Sequence, residues 1–189
     1  MKSHTPNGDD GTTGLIGDQR VRKCDPRIDC LGALDELNAC IGLAGVQAEG
    51  ELAGPLRRVQ EELFVIGAHL AGTGEGSAEA HLPPLDESMV RRLEMEIDGA
   101  ERQLPALRQF ILPGGTEVAS GLHLARTVCR RAERVVVGFA MQRPAPPIIL
   151  PYLNRLSDWL FVMARLANHR AGVEDAVWGK PKGQGGRQG

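Results

Sequence analysis

The chain of 189 residues has few aromatics: Phe, Trp and Tyr together make up 4% of it. A platform for stacking bases is therefore not expected. It also lacks an excess of charge of either sign. The 22 basic and 24 acidic residues leave a formal net charge of −2, which argues against a broad basic face and so against nucleic acid as a partner. No apolar run approaches the ~18–20 residues that span a bilayer, so no membrane partner is expected. The opening MKSHTPNGDDG holds no hydrophobic stretch that would serve as a signal peptide. The four cysteines, Cys24, Cys30, Cys40 and Cys129, contain no C-x-x-C pair. In a chain of this length they read as reduced thiols rather than a disulfide framework, and the expected location is cytoplasmic. The five histidines show no H-E-x-x-H spacing, so a protein-ligated catalytic zinc is not expected.

What is present is helical periodicity, enough for one domain with a sizeable core. Leu31, Leu34, Leu37, Ile41 and Ala44 recur at steps of three and four and predict a helix from Asp29 to about Gln47. Leu52, Leu56, Val59, Leu63, Ile66 and Leu70 predict a second. A Gly/Ser/Ala stretch at 72–80 ends it, and Pro83-Pro84 leads into a third with Leu85, Met89, Leu93 and Ile97 on one face. Residues 105–115, PALRQFILPGG, form a turn-rich connector. Thr116 is placed to cap a fourth helix reaching Met141, RPAPP at 143–147 ends it, and a fifth runs to about Ala171. No stretch alternates with period two. The expected fold is all-α, a five-helix up-and-down bundle of ferritin-like appearance over 29–172, preceded by a phosphate-binding loop at 1–28. It is followed by a Gly-rich basic tail at 173–189, expected to be disordered.

Three constellations carry chemistry. On the fourth helix Arg126, Arg130 and Arg134 stand at i, i+4 and i+8, drifting by only about 40° per step, with Glu133 beside them. Like charges at this spacing repel, so the cluster calls either for solvent or for an anionic partner such as a phosphate chain or another subunit's carboxylates. On the fifth helix, apolar nearly all round, Asn154, Asp158, Phe161 and Arg165 make one stripe. Asp158 and Arg165 are expected to pair with groups on other helices, and Asn154 to meet a ligand. At the N-terminus Gly8, Gly11, Gly14 and Gly17 allow backbone N–H groups to turn inward, Thr5, Thr12 and Thr13 bring hydroxyls, and Lys23 brings a point charge. That chemistry suits polyphosphate, although no Walker A pattern is present. Phe110, read from the residues alone, is a core or connector aromatic.

Together these segments resemble the PduO-type ATP:cob(I)alamin adenosyltransferases. The matching stretches are TPNGDDGTTGLIGDQRVRKCDPRI, GALDELNACIG, FILPGG, LHLARTVCRRAERVVV and YLNRLSDWLFVMAR, in order and spread over residues 5–165. The resemblance implies a homotrimer with a site at each subunit interface, ATP and cobalamin as substrates, and Mg²⁺ held mainly by the ATP phosphates. It implies ATP contacts from Thr5, Pro6, Asn7, Gly8, Thr12, Thr13, Lys23, Arg130, Glu133, Arg134 and Asn154. Phe110 would push away the lower axial ligand of cobalamin, and Asp35 would bridge to Arg126 across the interface. One departure stands at Pro6, where the family commonly has a basic residue. An adenosylcobalamin-dependent enzyme and a reductase are the further partners it implies. A phosphotransferase and a trimeric cobalamin carrier are the competing readings.

Overall fold

A computed structural model describes residues 6–16, 19–48, 50–72 and 81–179. The five helices are α1 (Pro26–Val46), α2 (Ala53–Ala71), α3 (Glu87–Glu101), α4 (Glu117–Ala140) and α5 (Ile149–Arg170). α1 begins earlier than its first periodic leucine. The Asp25 carboxylate accepts from the Arg27 amide at 2.9 Å, and Pro26 fills the first helical position, where a missing N–H costs nothing. Thr116 caps α4 as its position predicts, accepting from the Ala119 amide at 3.1 Å, and Asp86 caps α3, which starts two residues beyond Leu85.

The helices close into a ring in the spatial order α2, α1, α4, α5, α3. Cross-helix contacts set the directions. Asn38 meets Gln60 while Gly67 lies by Leu31, Cys30 meets the Val135 carbonyl while Gly121 lies by Ala44, and Cys129 meets the Leu153 carbonyl while Thr116 meets Asn168. Each successive helix therefore reverses, but a ring of five cannot alternate throughout. α3 and α5 are the parallel neighbours, joined by Arg155–Glu94 at 3.1 Å and Trp159–Glu96 at 2.8 Å. The ring closes between α2 and α3 through charge. Arg58 grips Glu96 at 2.6 Å, and Glu62 receives Arg92 at 3.1 Å and the Tyr152 hydroxyl at 2.7 Å. α5 is the most buried helix, with Tyr152, Leu153, Leu156, Trp159 and Leu160 at the centre of the core, as its apolar circumference predicts.

Three expectations need correction. Two short strands exist, β1 (Thr12–Gly14) and β2 (Arg20–Arg22), paired antiparallel with Thr12 opposite Arg22. Three residues are too few for alternation to show in sequence. The tail assigned from 173 is ordered as far as Gly179: the Leu112 amide donates to the Ala176 carbonyl and the Trp178 amide to the Phe110 carbonyl, each at 2.7 Å. Residues 180–189 lie outside the described residues. Arg165 and Asp158 are paired, but not with other helices. Arg165 binds Asp175 beyond its own helix at 2.7 Å and the Pro105 carbonyl at 2.9 Å, while Asp158 accepts from Arg155 one turn back.

Candidate functional site

A cleft of about 640 Å³ opens between the connector and the α3, α4 and α5 faces. The Pro113-Gly114-Gly115 turn brings the connector there. Gly115 has φ +108°, a conformation that favours glycine, and a Cβ on it would stand 2.2 Å from Asn168 Oδ1. Asn168 in turn accepts from the Thr116 amide at 2.9 Å and donates to the Gly114 carbonyl at 3.0 Å. The turn is thus clamped to the end of α5, and the chain just ahead of it carries Phe110.

Phe110 is 80% exposed and lines the cleft with the apolar Leu107, Ile111, Phe161 and Val162, the cationic Arg126, Arg130 and Arg155, and the acidic Glu101 and Asp158. The Arg126 guanidinium stands 5.9 Å from the centre of the Phe161 ring. Its Nε is buried with no hydrogen-bond partner among the described residues. Arg130 has no ion pair or side-chain hydrogen bond among the described residues either; only its carbonyl is used, by Arg134 at 2.9 Å. Two arginines with no carboxylate partner among the described residues, beside an exposed aromatic ring, can receive an anion and a flat apolar group side by side.

The other expected residues lie elsewhere in the single chain. Arg134 and the Glu133–Asn154 pair, joined at 3.2 Å, do not line this cleft. The N-terminal residues gather at the hairpin. Asp10 accepts from the Thr12 hydroxyl at 2.7 Å and amide at 2.9 Å, and these bonds hold its carboxyl below the ordinary value. Arg20 donates to the Asn7 carbonyl and the Thr12 hydroxyl. The Lys23 ammonium lies over Gly8, where a Cβ would stand 3.3 Å from Nζ. Asn7, Gly8, Thr12 and Lys23 are therefore drawn into one loop, where Arg20 also pairs with Asp10 at 3.8 Å, with Thr13 facing Val21 across the ladder. Thr5 and Gly17 lie outside the described residues, as does the side chain of Pro6. Asp35 is exposed at a groove between α1 and α2 with Leu31, Leu34 and Phe64. It does not touch Arg126, which lines the cleft of α4 and α5.

Several residues of these two places were not singled out from sequence. Arg20, which donates to the Asn7 carbonyl and the Thr12 hydroxyl, has no repeat or motif that marks it. Arg155 and Ser157 line the cleft without a pattern of their own. Val177 and Trp178, an apolar pair in an otherwise Gly-rich and basic tail, were a usable hint that the tail packs: Val177 bridges to Ile111. No group of three or more His, Cys, Asp or Glu that could hold a metal occurs among the described residues, and none of the helices described is long and apolar enough to cross a membrane.

Comparison with known proteins gives a consistent answer. Residues 3–167 match the family model described as cobalamin adenosyltransferase. The corrinoid adenosyltransferase of Bacillus subtilis is 43% identical over 183 residues, covering 94% of this chain and 92% of that protein. The corrinoid adenosyltransferase PduO of Citrobacter freundii is 41% identical over 90% of this chain, which spans 51% of that longer protein. Among solved structures, a variant PduO-type ATP:corrinoid adenosyltransferase from Lactobacillus reuteri, complexed with cobalamin and ATP, superposes with a TM-score of 0.87 at 38% identity, covering 94% of this chain and 96% of that one. The chain belongs to the cobalamin adenosyltransferase family.

Proposed function

We propose that the protein transfers the 5′-deoxyadenosyl group of ATP to cob(I)alamin. The observation that carries this reading is the cleft lined by the exposed Phe110 together with Arg126 and Arg130, neither of which has an ion pair among the described residues. In the reaction the reduced cobalt supplies both electrons of the new cobalt–carbon bond. The C5′–oxygen bond breaks, and its electron pair leaves with inorganic triphosphate. The chain needs no nucleophile of its own; it holds the two substrates in line and neutralises the leaving group. Arg130, with Lys23, Arg134 and the amides around Gly8, takes the phosphates. Thr5, Pro6, Asn7, Thr12, Thr13, Glu133 and Asn154 frame the nucleotide. Mg²⁺ would be carried mainly by phosphate oxygens and add positive charge there. Phe110 meets the lower face of the corrin and occupies the space of the axial ligand.

The hairpin and the cleft are separate places in one chain, so a complete site needs two copies, and a homotrimer supplies three such sites. Asp35, which has no ion pair among the described residues, would then meet Arg126 of a neighbouring copy. The setting is the cytoplasm, with a reductase upstream and an adenosylcobalamin-dependent enzyme downstream. One incubation tests the reaction. With ATP, Mg²⁺ and chemically reduced cobalamin, the expected products are adenosylcobalamin and triphosphate in equal amounts. ADP would instead indicate a phosphotransferase, and bound but unchanged cobalamin a carrier.

A further inference from the structure

His123 is a buried titratable side chain that this reaction leaves unused. It lies on α4, one turn before Arg126, and is 3% exposed. Neither ring nitrogen has a hydrogen-bond partner among the described residues. An unpartnered buried polar group is costly, so a purely space-filling role would be better served by an apolar ring. Its specific contact is with Phe161, edge to face, with centroids 6.0 Å apart and planes at 61°. The same Phe161 ring holds the Arg126 guanidinium at 5.9 Å. Phe161 and Arg126 both line the cleft with Phe110 and Arg130.

The geometry points to His123 as a positioning residue: its uncharged imidazole fixes the Phe161 ring and, through it, the Arg126 guanidinium on the wall of the cleft. The uncharged form is essential, because a second cation one turn from Arg126 would repel it and compete for the negative face of the same ring. The charged groups acting on His123 come from two elements. Burial, reinforced by Arg126 on its own helix, holds the imidazole below its ordinary value. Asp175 on the segment after α5 acts the other way, but its carboxylate is already engaged by Arg165 of α5 and by Asn168.

The inference rests on reading the cleft as the reaction site, yet its first test does not. In the full chain without substrates, the ring resonance of His123, assigned by its loss in His123→Phe, is followed against pH by NMR. It is expected to titrate below about 6.5 and to move upward in Arg126→Ala. An ordinary midpoint, or one indifferent to Arg126, overturns the inference whatever the protein catalyses. The second test compares turnover from pH 5 to 8. His123→Ala is expected to lose about 10- to 100-fold in kcat/KM through misplacement of Arg126. His123→Phe, which keeps a ring and no titration, is expected to recover most of that loss and to lack the acid limb of the wild type. A His123→Phe protein that is folded but no better than His123→Ala, or that keeps the same acid limb, refutes the positioning role.

Discussion

Asp175→Ala removes the carboxylate that meets Arg165 at 2.7 Å, where 7% of the arginine side chain and 16% of the aspartate side chain reach solvent. Screening is slight at that burial, so the pair belongs with buried ion pairs, for which loss of one partner costs ~3–5 kcal/mol. Two features place it near the lower limit. The Pro105 carbonyl still accepts from Arg165 at 2.9 Å, and Asn168 keeps the Gly114 carbonyl at 3.0 Å when its 3.3 Å contact with Asp175 is lost. A loss of about 3 kcal/mol, at ~2–4 °C per kcal/mol for a chain of this size, lowers Tm by roughly 6–12 °C in a calorimetric scan. The cause is a stranded charge, not a lost contact as such. Removing both ends together, as Arg165→Met with Asp175→Leu, should therefore restore most of the Tm. A single variant within about 2 °C of wild type, or a double variant no better than the single, refutes the reasoning.

Three further outcomes follow from the same structure. Tyr152→Phe deletes the hydroxyl that donates to Glu62 at 2.7 Å in the core, and the lost charge-assisted bond should cost ~1.5–3 kcal/mol in urea denaturation. The wild-type phenol, pushed well above its ordinary value chiefly by burial and then by Glu62, should stay unionised in an ultraviolet titration until the chain unfolds. Gly115→Ala forces a Cβ to within 2.2 Å of Asn168 at φ +108° and should cost more than ~2 kcal/mol, whereas Gly32→Ala, in α1 with nothing within 4 Å of the new Cβ, should gain about 0.5–1 kcal/mol. Thiol titration at pH 8 should find the exposed Cys24 first. Cys30 and Cys129, pushed up by burial to about 11 and about 12, should react only after denaturation.

The helices were legible because each repeats its apolar residues over several turns, and no other element of comparable length competes for the same core. What escaped the reading was shorter or non-local. The hairpin occupies three residues per strand, and Arg20 reaches Asn7 and Thr12 across the loop, a partnership that no period reveals. The segment from Val173 to Gly179 has the composition of a tail, yet Ile111 pairs with Val177 from across the molecule. The arginine stripe was visible as a face, but a helix turns about 100° per residue. The drift over two turns is enough to leave Arg134 outside the cleft while Arg126 and Arg130 line it. Arg131, off the stripe, is taken by Glu36 on α1. Phe110 shows the limit most plainly. From its neighbours alone it is a core or connector aromatic; the resemblance singles it out, and the structure finds the ring 80% exposed in the cleft that Arg126 and Arg130 also line. Asp35 shows a different limit. The spacing of residues within one chain carries no sign of its bridge to Arg126; only the resemblance implies it, across a subunit interface. The α1–α2 groove that holds Asp35 and the α4–α5 cleft that holds Arg126 are separate in one chain, so the bridge we propose between them would run between two copies.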